Sequence, residues 1–195
     1  MIAVINYGAG NTASVANALE ELKADFKIVK TEDQICRADK IILPGVGHAA
    51  AAMKNLHILN LFNLLRILKR PLLGICLGMQ LLCENSSEGD VACLGVLPGG
   101  TNEFDSKKNT VPHMGWTKVN ILQNSDLFDG IANNESFYFA HSFYVPLNKF
   151  TIADAQHGVK FSAAVVKNNF YGVQFHPEKS GTAGLQILNN FIEKC

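Results

Sequence analysis

Cys76 is flanked by glycines two residues away on each side, Gly74 and Gly78. This is the spacing of a nucleophile elbow, in which a turn too sharp for flanking side chains lifts the central residue out of a sheet edge. Residues 72–75 form an apolar run that predicts a buried strand, and residues 77–84 can continue as an amphipathic helix. The helix N-terminus would favour the thiolate, which is the nucleophilic form of cysteine. Because the pattern is short, a buried structural cysteine remains the alternative.

His176 and Glu178 follow a second predicted strand, residues 170–175, and Pro177 stiffens the turn between them. An imidazole and a carboxylate can therefore lie together at the C-terminal edge of the sheet, where open parallel sheets collect their ligands. A thiol, an imidazole and a carboxylate that each follow a strand give the Cys-His-acid arrangement of nucleophilic catalysis. Taken alone, His176 could equally be an exposed turn histidine.

Residues 44–47, Pro-Gly-Val-Gly, follow a predicted strand at residues 40–43. Glycines on both sides of Val46 let the backbone approach a ligand and turn its N–H groups toward it, as an oxyanion hole requires. A plain structural turn is the alternative. A helix is predicted to begin near Ala49 and to lead into residues 56–68, which are apolar on more than one face and therefore expected to be covered by neighbours.

The elements that must position these residues are arranged differently in the two halves of the chain. In the N-terminal half the pattern predicts strands at 2–6, 26–30 and 40–43 and a helix at 12–22. In the C-terminal half it predicts short strands joined by a hairpin within 93–122, antiparallel strands at 137–140, 141–145, 150–156, 161–166 and 170–175, and a closing helix at 181–194. We therefore predict an α/β fold: an open, mostly parallel central sheet with flanking helices, additional antiparallel strands in the C-terminal half, and one domain over residues 1–195.

A rival pattern occurs near the N-terminus. Gly8, Gly10 and Ala13 follow the first strand with the spacing of a dinucleotide-binding fingerprint, and Glu32 or Asp33 lies about twenty residues further on. A dinucleotide-dependent oxidoreductase is therefore an alternative function. No later stretch supplies the second mononucleotide-binding half, and a glycine turn that packs a helix close to the sheet also explains the pattern.

Composition limits the classes of function. The 195 residues are 48% hydrophobic, 17% charged and formally neutral, which argues against a nucleic-acid partner and against disorder. The five cysteines form no Cys-x-x-Cys pair and no zinc-spaced cluster, so we expect a reducing compartment, no metal and no cofactor. The N-terminus lacks the basic start of a signal peptide, and residues 56–68 are too short to span a bilayer. These features predict a soluble cytoplasmic protein with no membrane partner.

His113, Met114 and Trp116 form a cluster that follows a proline. The only tryptophan of the chain could be core filler, but a histidine, a methionine and a tryptophan together in a loop favour a contact surface.

Two motifs together resemble a known family. Residues 74–80, Gly-Ile-Cys-Leu-Gly-Met-Gln, and residues 174–178, Gln-Phe-His-Pro-Glu, resemble the two signature motifs of the class I glutamine amidotransferases of the triad type. Within that class, the chain is most similar to the glutaminase subunits of imidazole glycerol phosphate synthase, an enzyme of histidine biosynthesis. The segments that carry this narrower resemblance are 6–11, 44–47, 111–116, 138–142 and 176–180.

The resemblance implies roles for individual residues. Cys76 would be the nucleophile, His176 its base and later its acid, and Glu178 the group that orients His176. The positions that match the oxyanion hole are Val46, Gly47 and Leu77, and those that match the glutamine contacts are Gly47, Gln80, Ser142 and Phe143.

Ammonia released into neutral water becomes mostly ammonium, which is not a nucleophile, so a partner must take it up directly. The resemblance implies that this partner is a (β/α)8-barrel cyclase subunit in a heterodimer. The positions that match its interface are Asn11, Tyr138 and Lys179, and Trp116 and Met114 are expected near them. The chain departs from its relatives at Thr117, where they tend to have asparagine. Two further hypotheses stay open: a duplicated copy that feeds another synthase, for example in surface-sugar synthesis, and a non-catalytic scaffold.

Overall fold

Two sheets and six helices make up the chain, which the computed structural model describes from Met1 to Cys195. The strands are β1 (Ile2–Ile5), β2 (Phe26–Val29), β3 (Lys40–Gly45), β4 (Leu72–Cys76), β5 (Cys83–Ser86), β6 (Val91–Ala92), β7 (Leu97–Glu103), β8 (His113–Ile121), β9 (Glu135–His141), β10 (Phe143–Tyr144), β11 (Thr151–His157), β12 (Val159–Lys167) and β13 (Phe170–Val173). The helices are α1 (Thr12–Glu21), α2 (Glu32–Cys36), α3 (Ala49–Ile58), α4 (Leu61–Ile67), α5 (Leu77–Gln80) and α6 (Gly181–Lys194), with 3-10 turns at Asp126–Phe128 and Pro177–Lys179.

The larger sheet has nine strands in the order β2-β1-β3-β4-β13-β12-β11-β8-β9. The first five strands in this order, β2, β1, β3, β4 and β13, run parallel. From β13 to β9, each strand is antiparallel to its neighbour. The predicted fold class, a mostly parallel central sheet with antiparallel strands in the C-terminal half, is confirmed. Because β3 and β13 flank β4 in parallel, the segments that follow all three strands meet at one sheet edge.

The parallel strands β1, β3, β4 and β13 are buried on both faces, as apolar runs without alternation predict, whereas the edge strand β2 is largely exposed. In β1, Ile2 and Val4 belong to one hydrophobic cluster and Ala3 and Ile5 to the other, so the two clusters lie on opposite faces of the sheet. Helices α3 and α4 contribute side chains to the second of these clusters, and α1 and α6 to the first. None of the helices is long and apolar enough to span a membrane.

The antiparallel half of the sheet curls back toward β13. The backbone N–H of His176 donates to the carbonyl of Tyr138 in β9 at 2.8 Å. Ser180 joins the same two segments, because its hydroxyl donates to the His176 carbonyl (2.6 Å) and accepts from the Tyr138 N–H (3.0 Å). Beneath this junction the ring of Phe137 stacks on that of Phe175, with centroids 4.2 Å apart. The last strand of the sheet therefore borders the edge at which β4 ends.

Two helix predictions are wrong in their extent. The helix expected to lead from Ala49 through residues 56–68 is broken at Asn60, which adopts a left-handed conformation (φ +58°) that asparagine tolerates better than most residues. It is not covered all round either, since Ile58 and Ile67 are 66% and 74% exposed. The amphipathic helix expected over 77–84 is only α5, a single turn that is buried throughout, because the chain turns into β5 at Cys83.

The hairpin predicted within residues 93–122 is also wrong. β7 pairs with β5 and β10 in a second, four-stranded sheet of order β10-β7-β5-β6, whereas β8 pairs with β9 and β11 in the larger one. The predicted strand at 141–145 likewise leaves the larger sheet, because β10 joins the smaller one. Alternation of apolar residues indicates strands, but it does not indicate which distant strand will pair with them.

Candidate active site

Cys76 lies at the junction of β4 and α5 with φ +53°, a conformation uncommon for residues other than glycine. Its two flanking glycines are sterically required. A Cβ on Gly78 would lie 1.9 Å from the Leu43 carbonyl oxygen, and a Cβ on Gly74 would lie 2.7 Å from the Gly78 carbonyl. This is the geometry of a nucleophile elbow. Because α5 is a single turn, the long helix expected behind the thiol is not present.

His176 interacts with both the thiol of Cys76 and the carboxylate of Glu178. Its Nδ1–H donates to Oε1 of Glu178 at 2.8 Å, and both side chains are almost fully buried. Burial lowers the pKa of His176, but its interactions with Cys76 and Glu178 raise it, and the resulting pKa is about 10. The other oxygen of Glu178 is buried without a partner, so the hydrogen bonding of this carboxylate is directed at the imidazole. The structure thus brings the three predicted triad residues together.

Glu178→Gln tests this arrangement through the titration of His176. Glutamine keeps the size of the side chain but removes its negative charge, so the pKa of His176 should fall well below about 10. A raised pKa means that the folded state holds this proton more tightly, so its stabilisation is full below about pH 6.5 and is lost as pH rises toward 10. The variant should lose part of that stabilisation, and kcat should fall about 10²- to 10⁴-fold because the imidazole loses its orienting charge.

The measurement is an NMR titration of the His176 ring together with kcat for glutamine hydrolysis. Glu193→Gln, which removes an exposed charge near the end of α6, is the control. An unchanged His176 titration in Glu178→Gln would contradict the assigned role of the carboxylate.

The loop at the end of β3 lies beside the thiol. Gly45 pairs with Cys76 in the parallel register, and Val46 and Gly47 follow as exposed residues, Gly47 with φ +100°. The buried Tyr7 hydroxyl donates to the Pro44 carbonyl at 2.9 Å and so fixes the start of the loop. Burial raises the pKa of Tyr7, which keeps it a neutral donor. The predicted oxyanion positions therefore lie on the two segments that pair at Gly45 and Cys76: Val46 and Gly47 follow Gly45, and Leu77 follows the thiol.

Two buried glutamines join the thiol to the predicted substrate segment. Nε2 of Gln80 donates to the Phe143 carbonyl (2.7 Å) and to Oε1 of Gln174 (3.0 Å). Nε2 of Gln174 in turn donates to Sγ of Cys76 at 3.5 Å. Both amide hydrogens of Gln80 are therefore used, which leaves its Oε1 free to accept a hydrogen bond from a ligand. Ser142 precedes Phe143, and its carbonyl accepts from the N–H of Phe104 at 3.0 Å.

Sequence reasoning did not single out Gln174 or Ser180. Gln174 opens the 174–178 motif and lies between β13 and His176, so its position in the motif was the available signal. Ser180 closes the neighbouring motif at 176–180 and precedes α6, where a serine normally suggests only a helix cap. Here its hydroxyl holds β9 against the His176 turn instead.

Four of the five predicted interface residues lie close together. The rings of Trp116 and Tyr138 meet edge to face at 6.1 Å, and Nζ of Lys179 lies 5.9 Å from the Tyr138 ring centroid. Met114, two residues before Trp116 on β8, is 64% exposed and Trp116 is 59% exposed. The side chain of Asn11 caps α1 instead, where its Oδ1 accepts from the Ser14 N–H at 3.2 Å. We call Met114, Trp116, Tyr138 and Lys179 the docking face.

The glycines of the rival fingerprint have a structural explanation. A Cβ on Gly10 would lie 3.1 Å from the Pro44 carbonyl oxygen, and Gly8 has φ +84°. The loop therefore packs α1 closely against the end of β3, which was the structural alternative for this pattern.

Comparisons with known proteins agree with this fold and site. The sequence profile of the family "Glutamine amidotransferase class-I" matches residues 3–195. A solved structure, "Crystal structure of glutamine amidotransferase", superposes with a TM-score of 0.75 at 17% identity, covering 99% of this chain and 98% of that chain, and so shows the shared fold. The chain belongs to the class I glutamine amidotransferase family, whose members hydrolyse glutamine.

Two curated relatives narrow the type. "Imidazole glycerol phosphate synthase subunit HisH" of Haemophilus influenzae (strain ATCC 51907 / DSM 11121 / KW20 / Rd) is 47% identical over 193 residues, which are 99% of this chain and 97% of that protein. The protein of the same name from Bacteroides fragilis (strain ATCC 25285) is 46% identical over 194 residues, covering 98% of each. Within its family, the chain is of the HisH type.

Proposed function

We propose that the chain is the glutaminase subunit of an imidazole glycerol phosphate synthase, and that Cys76, His176 and Glu178 hydrolyse glutamine to glutamate and ammonia. The observation that carries this proposal is the meeting of a strained elbow cysteine and a carboxylate at one buried imidazole. The 45–47% identity to proteins named as HisH subunits supports the particular synthase.

The reaction begins when the sulfur of Cys76 attacks the side-chain amide carbon of glutamine, while His176, whose pKa is about 10, carries the proton of the thiol–imidazole pair. The carbonyl becomes a tetrahedral oxyanion, which the backbone N–H groups near Val46, Gly47 and Leu77 stabilise. The imidazolium of His176 then gives its proton to the departing nitrogen, and the C–N bond breaks to release ammonia. His176 next takes a proton from water, which attacks the glutamyl thioester and releases glutamate and the free thiol. Glu178 keeps Nδ1 protonated, so Nε2 is the nitrogen that exchanges protons.

Glutamine is bound, in this proposal, at Gly47, Gln80, Ser142 and Phe143. Gln80 presents its free Oε1 to the substrate, because both of its amide hydrogens are already used. The α-ammonium group of glutamine is a donor that suits this acceptor. Gly47 leaves open space beside the loop, since a Cβ there would meet no atom within 4 Å.

Ammonia must reach its acceptor before it takes up a proton from water. We therefore include in the proposal a cyclase subunit with a (β/α)8 barrel, joined to this chain in a heterodimer through the docking face. Two exposed apolar side chains, Met114 and Trp116, next to a cationic Lys179 suit a protein partner. We also propose one domain over residues 1–195 that works in the cytoplasm, consistent with five free cysteines.

The test is the release of glutamate from glutamine by the purified chain, alone and with a co-purified barrel cyclase and its ligand. We expect slow release by the chain alone and strong stimulation by the liganded cyclase of histidine biosynthesis. Stimulation only by the synthase of another pathway would assign the chain to that pathway instead of histidine biosynthesis. No release with any cyclase would overturn the glutaminase itself.

A further inference from the structure

Three histidines outside the triad form a cluster beside the segment proposed to bind glutamine. His113 on β8 and His141 on β9 are direct cross-strand partners, and both are buried. The ring of His157, on β11, stacks on that of His113 with centroids 4.2 Å apart. The cluster is not a group that could hold a metal ion. None of these rings takes part in the proposed hydrolysis of glutamine.

The hydrogen bonds of this cluster permit only one arrangement of protons. Nδ1 of His141 lies 2.8 Å from the Phe143 carbonyl oxygen, which can only accept, so Nδ1 carries the proton. Nε2 of neutral His141 must then accept, and its partner at 3.1 Å, Nδ1 of His113, must donate. Nε2 of His113 is left as an acceptor for the Thr117 hydroxyl at 2.8 Å. The chain of donors therefore runs in one direction, from Thr117 through both rings to Phe143.

Both rings are neutral at physiological pH, as this arrangement requires. Burial lowers the pKa of His113 to about 4 and that of His141 to about 3. The neighbouring imidazoles act in the same direction, since a positive charge on His113 or His176 would disfavour a further positive charge on His141. The donor chain is thus intact across the pH range in which the enzyme would work.

The end of this donor chain lies in the proposed glutamine site. The Phe143 carbonyl accepts a hydrogen bond from His141 and a second one from Gln80, at 2.8 and 2.7 Å. One carbonyl therefore ties β9 to α5 at the place where Gln80 offers its free oxygen. From Gln80 the contacts continue through Gln174 to the sulfur of Cys76.

We infer that His141 and His113, ordered by Thr117, are positioning residues that hold the Phe143 carbonyl and Gln80 in the geometry that binds glutamine. This inference rests on the proposed function. Thr117 also contributes to positioning, because the hydrogen bond of its hydroxyl orders the ring of His113. Positioning residues of this kind affect the binding of glutamine more than the chemistry at the sulfur, since neither ring contacts the triad through a hydrogen bond.

Substitutions at His141 separate positioning from a merely structural role. In His141→Asn the side-chain nitrogen occupies the place of Nδ1 and can still donate to Phe143, whereas His141→Leu has no donor. We expect KM for glutamine to rise about tenfold in His141→Leu, the effect of one lost hydrogen bond, with kcat changed less than about threefold. In His141→Asn, KM should stay within about threefold of the parent. His157→Phe keeps the stacking without belonging to the donor chain and is the matched control.

The decisive measurement is inactivation of the full chain by two alkylating reagents, with circular dichroism to confirm folding. A chloroketone analogue of glutamine needs the glutamine site, whereas iodoacetamide needs only the thiol. We expect His141→Leu to raise the half-saturating concentration of the chloroketone about tenfold and to leave alkylation by iodoacetamide unchanged. Saturable inactivation of every variant with equal half-saturation would overturn the inference and leave the proposed function standing. Failure of the chloroketone to inactivate the parent chain would overturn the proposed function itself.

Discussion

Cys76→Ala is expected to lower kcat for glutamine hydrolysis by a factor on the order of 10⁴ or more, because the covalent route through a thioester is lost completely. The fold should survive, since alanine is smaller than cysteine and the elbow depends on the glycines at 74 and 78 rather than on the sulfur. Binding of glutamine should also survive, because its proposed contacts come from other residues. Glutamate release and isothermal titration with glutamine measure the two effects separately.

Cys83→Ala is the matched control for this experiment. Cys83 is also buried and also free, but burial raises the pKa of its thiol to about 12, so it has no nucleophilic form at neutral pH. We expect kcat to stay within about threefold and the free energy of unfolding to fall by about 1 kcal/mol for the small cavity. A large loss of kcat in Cys83→Ala, with Cys76→Ala still active, would place the nucleophile elsewhere.

Much of the site could be predicted from the sequence because its signals are local. The two glycines beside Cys76 define a turn over five residues, and the helix predicted at 181–194 has the bounds observed for α6. Cys76 and His176 are a hundred residues apart, yet both follow parallel strands, so the rule that strand ends meet at one edge brings them together. A short motif combined with a general property of sheets was sufficient here.

The features that could not be predicted depend on contacts between distant segments. Whether a strand such as β7 joins the larger or the smaller sheet depends on free-energy differences among many possible partners, and alternation records only one buried face. The donor chain from Thr117 to Phe143 was likewise invisible, because it needs the cross-strand register of His113 and His141. The break at Asn60 was missed because one left-handed residue hardly disturbs the apolar pattern around it.

Gly78→Ala is expected to destabilise the chain by about 3 kcal/mol or more, as overpacking against a backbone atom does when the neighbours cannot yield. Helix propensity alone predicts the opposite sign, since alanine in place of glycine within a helix normally stabilises by about 1 kcal/mol. The steric effect prevails here, because the added methyl group would lie 1.9 Å from the carbonyl oxygen of Leu43 in β3. The turn must open to accept it, and this moves the thiol away from His176.

The same substitution should lower kcat about 100-fold, since a displacement of roughly 1 Å at a reacting atom has an effect of this size. Urea unfolding gives the stability and glutamate release gives the rate. Gly10→Ala is the matched control, because it adds a Cβ against the same strand. This atom would lie 3.1 Å from the carbonyl oxygen of Pro44, the residue that follows Leu43 in β3. That variant should lose no more than about 1 kcal/mol, because the neighbour needs to give by only a few tenths of an ångström. Equal losses of stability and kcat in the two variants would mean that close packing against β3 is a general requirement of the fold. Much larger losses in Gly78→Ala would show that the requirement belongs to the elbow and hence to the position of the sulfur.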